Sequence, residues 1–316
     1  MEQTPPAGVT DTFFSMHQKI PLSPTHWESH LDQAEHLLKN RRNFLFSGDI
    51  DADSVSSMLA LALYLRLWDK NVALVIPGHL DDNLHFLEDI IEYNGIQVLR
   101  EEKEVEDARD WVEALIFCDT ANTQLVPFYS LLDKNFLSQN LPVLEIDHHF
   151  GTDSEKMAKD EVTLLQEANA TTELIGSLLI RLFEKNPGLP HPFSRRNIVL
   201  ALLTGLLGDT IGGKVVHWRE PYDHWMEVLG KNLRQTTRWR KNGGHRPGDD
   251  RDAKFGHPGE VLRYLNRITN DKQECLKWMT QMIVKDQGVG HLNLMNSTYP
   301  QVQHVCRPYN SPWFAD

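Results

Sequence analysis

Short apolar segments alternate with longer amphipathic ones along the first two thirds of the chain. Five of the short segments are predicted to be β-strands because each is brief, apolar and bounded by polar or turn-forming residues: 43–47, 72–76, 96–99, 114–118 and 143–146. The stretches around them carry apolar residues at helical spacing and predict helices: 25–39, 54–68, 83–93, 124–137, 172–184 and 194–207. This alternation predicts right-handed crossovers and an α/β fold, with a mainly parallel sheet covered by helices on both faces.

The pattern also predicts how deeply individual segments are buried. Helix 54–68 is apolar on most sides, which is typical of a helix surrounded by other elements. Segment 101–113 holds seven acidic and two basic residues, and we expect it to form a solvated helix face.

The alternation stops beyond about residue 216. Segment 231–254 carries eight lysines or arginines against three aspartates. We therefore expect three parts: a flexible N-terminal arm at 1–20, an α/β catalytic domain at 21–215, and a smaller α+β region at 216–316 that binds substrate or has an accessory role.

Composition narrows the classes of function. The chain has 316 residues and a formal net charge of −12, which argues against non-specific coating of a long polyanion. Its three cysteines, Cys118, Cys275 and Cys306, form no CxxC pair, so the sequence indicates neither a disulfide framework nor a thiolate zinc site. We see no signal-peptide pattern and no apolar run of about eighteen residues, and so expect a cytoplasmic protein without a membrane span.

Acidic and imidazole side chains follow three of the predicted strands. They are the run Asp49-Ile50-Asp51-Ala52-Asp53, the single Asp119, and the triplet Asp147-His148-His149. In a parallel sheet the carboxyl ends of the strands meet at one edge, where ligands bind. Taken alone, the first run also fits a polar strand-to-helix loop with an aspartate cap. Because clustered carboxylates repel one another, their convergence indicates a cation between them.

A further acid comes directly after a buried apolar helix. Asp209 follows segment 194–207, and these surroundings place it near the core, where an acid needs a partner. Acids and imidazoles from several strand ends suit a two-metal hydrolytic site, because carboxylates can bridge two ions and imidazole completes a coordination that suits manganese. Such ions, roughly 3.5–4 Å apart, polarise a phosphate and activate a water.

These four groups resemble, in order and approximate spacing, the four motifs of the DHH phosphoesterase superfamily, which is named after the Asp-His-His triplet. The first motif is most similar to that of RecJ-type single-strand exonucleases. The stretch Ala170-Thr171-Thr172-Glu173 is similar to the helix start that follows the family's third motif. The resemblance covers roughly residues 40–215.

The resemblance implies two divalent ions as cofactors, Mn²⁺ first and Mg²⁺ as an alternative. The implied ligands are Asp49 and Asp51 for one ion, Asp53 for the other, Asp119 as a bridge between them, and His148 and Asp209 to complete the second site.

The resemblance also separates the two histidines, which spacing alone does not. It implies that His149 faces the substrate phosphate as a charge stabiliser or proton donor. It further implies that Asp147 does not bind metal but orients a histidine.

The chain departs from the family pattern at Ser47. Many members have a histidine there, and a serine hydroxyl is a poor metal ligand. The first metal site would then be weaker, or would be completed by Asp49. Loss of activity is the alternative interpretation.

The C-terminal region matches the family less well. Gly243-Gly244-His245 and Gly288-Val289-Gly290-His291 only partly resemble the glycine-rich motif with which family members hold the far end of the substrate. Basic residues nearby, Arg238 and Arg240 among them, could contact phosphates, and Trp239 could stack on a base. The alternative is a solvated loop that binds nothing, in which the glycines are turn residues.

Three functions fit these observations. The first is a metal-dependent phosphoesterase, a nuclease or phosphatase that hydrolyses short oligonucleotides, cyclic dinucleotides or nucleotides. The second is an inorganic pyrophosphatase or polyphosphatase, which the basic, tryptophan-containing region mildly disfavours. The third is a catalytically impaired nucleotide-binding or scaffold subunit. We expect a small phosphorylated substrate or a short single-stranded oligonucleotide as partner and no membrane, and a homodimer is compatible with the sequence.

Overall fold

The computed structural model describes residues 19–159, 161–242 and 255–268, together with 273, 276–277, 279–281, 283–286 and 289–291. Within these residues, six strands form one sheet in which all neighbours are parallel. They are β1 (Asn43–Gly48), β2 (Asn71–Val75), β3 (Gln97–Leu99), β4 (Ala114–Cys118), β5 (Val143–Asp147) and β6 (Val162–Leu165). Two further strands, β7 (Val284–Asp286) and β8 (Val289–His291), pair antiparallel.

Nine α-helices lie in the described part of the chain. They are α1 (Pro24–Asn40), α2 (Ala52–Leu67), α3 (His85–Tyr93), α4 (Glu102–Asp107), α5 (Tyr129–Asn135), α6 (Thr171–Lys185), α7 (Arg196–Asp209), α8 (Arg219–Lys241) and α9 (Pro258–Leu265). Short 3₁₀ turns occur at Asp82–Leu84, Leu137–Gln139 and Pro192–Ser194. None of the helices described is long and apolar enough to cross a membrane.

The strand order is β3-β2-β1-β4-β5-β6, so the direction of winding reverses between β1 and β4. In open parallel sheets a crevice forms at such a switch point, outside the carboxyl ends of the two central strands. The first acidic run follows β1 and Asp119 follows β4, so both lie at this crevice.

The predicted α/β fold with a parallel sheet is confirmed, and the five predicted strands are present with ends shifted by no more than one residue. The prediction missed β6, which has only four residues and is flanked by charged and amide side chains at 160–161 and 166–167. Its pairing with β5 depends on tertiary structure. Segment 124–137 contains a helix that is shorter than predicted, α5.

The sheet is covered by apolar clusters on both faces. Alternate residues of β1 point to opposite faces, so Phe44 and Phe46 join the larger cluster with α2, α6 and α7, whereas Leu45 joins the smaller one near α5. Helix α2 is buried on nearly all sides, as its sequence predicts.

Helices α8 and α9 pack onto the same core. Trp225 of α8 lies against Gly176 of α6. Arg196, buried at the start of α7, donates from Nε to Thr237 Oγ1 at 3.1 Å and from Nη2 to Phe255 O at 2.9 Å. The predicted domain boundary at residue 215 stays a prediction, but the chain directly after it is continuous with the core.

The described chain begins inside the segment predicted to be a flexible arm. The side chain of Lys19 is completely buried. The Leu22 N–H donates to Leu165 O of β6 at 2.9 Å, and Ser23 caps α1. The end of the predicted arm is therefore anchored to the sheet, and the rest of it, residues 1–18, lies outside the described residues.

Helix α7 approaches α2 and α6 closely at two glycines, Gly205 and Gly208. A Cβ on Gly208 would lie 2.6 Å from the Cβ of Ala52. A Cβ on Gly205 would overlap Asp53 Oδ1 and would lie 2.5 Å from Thr172 Cγ2. The position of Asp53 therefore depends on a glycine in the facing helix.

We expect Gly205→Ala to destabilise the protein by about 1–2 kcal/mol, although alanine is the better helix former. The propensity gain is about 0.5–1 kcal/mol, whereas overpacking a filled interior costs about 1–3 kcal/mol. Denaturant unfolding measures the difference. Gly188→Ala is the matched control, because a Cβ there meets no atom within 4 Å. A Gly205→Ala variant as stable as the wild type would contradict the close contact of α7 with Asp53.

Candidate metal centre

The carboxyl ends of three neighbouring strands bring acids and histidines together at the switch point. Asp49 follows β1, Asp119 follows β4, and Asp147 is the last residue of β5. Asp209, the last residue of α7, reaches the same place from the helical layer and lies near His148. The structure therefore assembles residues from all four predicted groups.

Asp119 leaves β4 in an uncommon backbone conformation. Its φ angle is +52°, in the left-handed region that aspartate tolerates better than most residues. Its backbone N–H donates to Ile146 O at 2.9 Å, and the hydroxyl of Thr171 donates to its Oδ1 at 2.9 Å. These contacts fix the buried carboxylate between the ends of β4 and β5 and the start of α6.

His148 has its two ring nitrogens in different surroundings. Nδ1 lies 3.2 Å from Ala168 O, so it carries a proton and donates it. Nε2 is buried 3.3 Å from Asp119 Oδ1 and 3.5 Å from Asp209 Oδ2, and it makes a hydrogen bond with neither. Burial opposes a charged ring, but contact with Asp119 and the charges of Asp119, Asp53 and Asp209 raise the pKa of His148 to about 10. A buried nitrogen that faces carboxylates without a hydrogen bond has the surroundings of a metal ligand.

Two groups of side chains in the described part of the chain could each hold a metal ion. One contains Asp119, His148 and His149, and the other contains Asp53, His148 and Asp209. In each group the ligand atoms lie within 4.8 Å of one another. Carboxylate oxygens with one or two imidazole nitrogens suit a divalent ion of the manganese type. The residues present therefore fit the predicted cofactor.

Asp53 is held by the N-terminus of α6. Its Oδ2 accepts from the Thr171 N–H at 2.5 Å, and its Oδ1 accepts from the Thr172 N–H at 3.2 Å. Burial, followed by the charges of Asp119 and Asp209, raises the pKa of Asp53 well above its usual range. A bound cation would favour the ionised form and relieve this repulsion.

Asp51 both caps a helix and faces the acidic cluster. Its Oδ1 accepts from the Ser54 N–H at 2.9 Å, so the cap interpretation of this run is correct for Asp51. The crowding of its carboxyl, followed by the charge of Asp119 and those of Asp49 and Asp209, raises the pKa of Asp51, although the residue as a whole is exposed to solvent. Capping and membership of the cluster are compatible because a carboxylate has two oxygens.

Asp49 and Ser47 lie at the end of β1. Burial raises the pKa of Asp49, a hydrogen bond from the Ile50 N–H at 2.7 Å opposes this, and Asp119 adds to the rise. Ser47 is fully buried, and its hydroxyl has no hydrogen-bond partner among the described residues. Neither residue belongs to the two groups above, so the first metal site, with Asp49 and Asp51, stays a prediction.

Asp147 lies between His149 and Lys19. Its Oδ1 accepts from His149 Nδ1 at 2.8 Å and from the His149 N–H at 3.1 Å, while Oδ2 lies 2.5 Å from Lys19 Nζ. Burial would raise the pKa of Asp147, but the His149 hydrogen bond and the Lys19 charge hold it below its usual range. His149 is 42% exposed, and its Nδ1 lies 3.6 Å from Asp119 Oδ1. The contact expected of Asp147 is present, and its histidine is His149.

Sequence reasoning missed Asn169 as well as Lys19. The side-chain oxygen of Asn169 accepts from the backbone N–H groups of His217 at 3.0 Å and Trp218 at 2.8 Å, and its amide nitrogen donates to Glu173 Oε1 at 3.0 Å. Asn169 thereby ties the loop after α7 to the start of α6. His217 and Trp218 lie 48 and 49 residues from Asn169, and Asp147 lies 128 residues from Lys19, so spacing carries no signal for these contacts.

Arg238, the predicted substrate-binding residue of the C-terminal region whose side chain the structure describes, lies apart from this centre. Arg238 is exposed on α8, next to Thr237, which bonds Arg196 at the first residue of α7. Asp209 is the last residue of that 14-residue helix, which is about 20 Å long. The side chain of Arg240 and the whole of Gly243, Gly244 and His245 lie outside the described residues.

Comparison with solved structures finds matches to three prokaryotic proteins. An exopolyphosphatase-related protein from Bacteroides fragilis matches with a TM-score of 0.58 and 16% identity, over 82% of this chain and 67% of that one. RecJ in complex with Mn²⁺ from Thermus thermophilus matches with a TM-score of 0.44 and 14% identity, over 92% of this chain and 46% of that one. A putative family II inorganic pyrophosphatase from Methanococcus jannaschii matches with a TM-score of 0.41 and 16% identity, over 60% of this chain and 55% of that one. The first of these shows a shared fold.

Sequence comparison identifies the family. A search of curated proteins found no match. Residues 43–206, just over half of the chain, match the model of the DHH family, N-terminal domain. The matched range runs from β1 into α7 and contains Asp53, Asp119 and His148, which meet at the switch point. The chain therefore belongs to the DHH family.

Proposed function

We propose that this protein is a phosphoesterase that depends on divalent metal ions and hydrolyses phosphodiester or phosphomonoester bonds of small phosphorylated substrates. The observation that carries the proposal is the unbonded Nε2 of His148, buried between the carboxylates of Asp119 and Asp209. Membership of the DHH family supports the same class of reaction.

The residues that would hold metal are the acids of the two groups and the histidine that the groups share, with Asp49 and Asp51 as further ligands of a second ion: Asp53, Asp119, His148 and Asp209. We propose two ions, with Mn²⁺ preferred to Mg²⁺ because imidazole is among the ligands. Bound ions would supply Lewis-acid charge to a phosphate and lower the pKa of a water.

His149 would be the residue of this chain that meets the phosphate. It is partly exposed at the opening of the cluster, and Asp147 binds its Nδ1. The remaining ring nitrogen, Nε2, is then free to donate to a phosphate oxygen or to a leaving group. Asp147 and Asp119 favour the cationic form of the ring, since together they raise the pKa of His149 against the effect of burial.

The substrate class rests on charge and distance. Repulsion from a chain of net charge −12 disfavours long polyanions, so we propose short single-stranded oligonucleotides, cyclic dinucleotides or nucleotides. Because Arg238 lies near the far end of α7, a substrate as small as a dinucleotide bound at the centre would not reach it. Arg238 therefore does not discriminate against pyrophosphate or polyphosphate, and the substrate panel has to include the inorganic alternative.

We expect purified protein with Mn²⁺ to hydrolyse at least one member of a panel of short oligonucleotides, cyclic dinucleotides, bis-phosphorylated nucleotides and pyrophosphate. Asp119→Asn should lower kcat at least a hundredfold, because it removes a carboxylate from the metal groups while asparagine keeps the left-handed backbone. Asp153→Asn, at an exposed loop position, should retain full turnover. Hydrolysis of pyrophosphate alone would favour the inorganic alternative, and full turnover by Asp119→Asn would contradict the site.

We expect Mn²⁺ to raise the melting temperature and Asp209→Asn to reduce the rise. A ligand at one hundred times its Kd stabilises the folded state by about 2.7 kcal/mol. Losing the Asp209 carboxylate removes a ligand that lies 3.5 Å from His148 Nε2. Thermal unfolding with and without Mn²⁺ measures the effect, with Asp153→Asn as control. If Mn²⁺ raised the melting temperatures of Asp209→Asn and Asp153→Asn equally, Asp209 would not be a metal ligand.

The alternative function, a catalytically impaired nucleotide-binding or scaffold subunit, rests on the presence of Ser47 where many family members have a histidine. We expect Ser47→Ala to keep metal affinity and turnover, and to leave the free energy of unfolding unchanged or up to about 1 kcal/mol higher, because the buried hydroxyl it removes has no partner in the described part of the chain. Calorimetric titration with Mn²⁺ and denaturant unfolding test this. Lost metal affinity would instead identify Ser47 as a ligand.

A further inference from the structure

A buried lysine from the N-terminal segment reaches the aspartate that holds His149. Lys19 Nζ lies 2.5 Å from each of three oxygens: Asp147 Oδ2, Glu145 Oε1 and the backbone carbonyl of Thr120. The contacts with Asp147 and Thr120 are hydrogen bonds, whereas the contact with Glu145 is an ion pair without hydrogen-bond geometry. The side chains of Lys19, Glu145 and Asp147 are completely shielded from solvent.

The charges around Lys19 indicate which carboxylate it neutralises. Burial and the neighbouring Glu161 raise the pKa of Glu145 well above its usual range, despite the attraction of Lys19. Of the two carboxylates, Asp147 is the one that accepts a hydrogen bond from the ammonium of Lys19. Breaking such a buried pair by removing one partner leaves an uncompensated charge.

The two oxygens of Asp147 are divided between two partners. Oδ2 contacts Lys19, and Oδ1 accepts from the ring Nδ1 and the backbone N–H of His149. Because both oxygens are engaged, the carboxylate cannot rotate without losing one partner. The ring of His149 is then fixed with Nδ1 protonated, and Nε2 remains for a ligand.

The segment that carries Lys19 is itself anchored. The Leu22 N–H donates to Leu165 O at 2.9 Å, next to β5 in the sheet, and Ser23 begins α1. Lys19 thus contacts Asp147 although it lies 128 residues earlier in the chain. It also lies outside residues 43–206, which match the family model.

We propose that Lys19 is a positioning residue for hydrolysis, which acts through Asp147 on the orientation of His149. The inference rests on the proposed function for its kinetic consequence, while the coupling between Lys19 and His149 is independent of the substrate.

The first test is Lys19→Met in the full chain. Loss of a residue that orients an active-site group typically lowers activity about 10–100-fold. We expect kcat to fall by that factor, with KM and Mn²⁺ affinity unchanged, because His148 and the acids of the metal groups keep their contacts. Lys39→Met is the matched control, since that lysine is exposed and its ammonium, within the described residues, pairs with Glu35 on the same helix, α1. Wild-type kcat in Lys19→Met would overturn the proposal.

The second test is a double-mutant cycle with Asp147→Asn. Its key comparison, between the double variant and Asp147→Asn alone, can be made even if Lys19→Met by itself does not fold. The pair Lys19→Met/Asp147→Asn leaves no unpaired charge at this contact. If Lys19 acts through Asp147, the double variant should have the kcat of Asp147→Asn alone. A further fall of tenfold or more would show that Lys19 acts independently and would overturn the proposal.

The third test needs no hydrolysis. ¹⁵N NMR of histidine-labelled, Mg²⁺-loaded protein, assigned with His149→Gln, should show His149 with a protonated Nδ1 in the wild type and in Lys39→Met. In Lys19→Met we expect this signal to shift or broaden, as the ring loses its fixed orientation. An unchanged signal would overturn the proposal, even if no substrate in the panel is hydrolysed. Failure of the panel alone would count against the proposed function and not against this coupling.

Discussion

Carboxylates held close together repel one another, and in this protein the buried Asp53 and Asp119 and the more exposed Asp209 all act on His148. Asp51, also exposed, lies near Asp119 and Asp209. The fold offsets part of the cost with backbone donors: the first turn of α2 binds Asp51, and the first turn of α6 binds Asp53. A helix N-terminus contributes about 0.3–2 kcal/mol, which is less than the several kcal/mol lost for each buried ion. The remaining deficit is the physical reason to expect a cation at this position.

Everything that brings these acids together follows from the switch point and from the close approach of α7. The reversal of strand order sets β1 beside β4, so two acidic strand ends meet at one crevice. Helix α7 must then pass close enough to add Asp209, and this requires glycines at 205 and 208. A side chain at either position would separate the helical layer from the sheet edge.

Much of this arrangement could be predicted from sequence because it depends on local order. Strands are recognised by short apolar runs, and residues directly after them, such as Asp119 and Asp147, share one edge whatever the details of packing. Lys19 could not be found this way, since a lysine in a polar segment looks solvated until its partner, 128 residues later, is placed beside it. The distance of Arg238 from the centre was equally hidden, because it depends on the direction in which α8 packs along α7.

The acids at the carboxyl ends of the strands are therefore balanced by two kinds of cation: a buried lysine, and the histidines or a metal ion that can replace their protons. Asp147 has a covalently tethered ammonium, so its charge is balanced permanently and its oxygens are both occupied. Asp119 and Asp209, within the described residues, form ion pairs with histidines and not with lysine or arginine. Histidine exchanges its proton and can bind metal, whereas the lysine of a buried pair does neither. This difference explains how Asp147 can stand beside His148 in sequence and orient a histidine, while its neighbours remain available to an exchangeable ion.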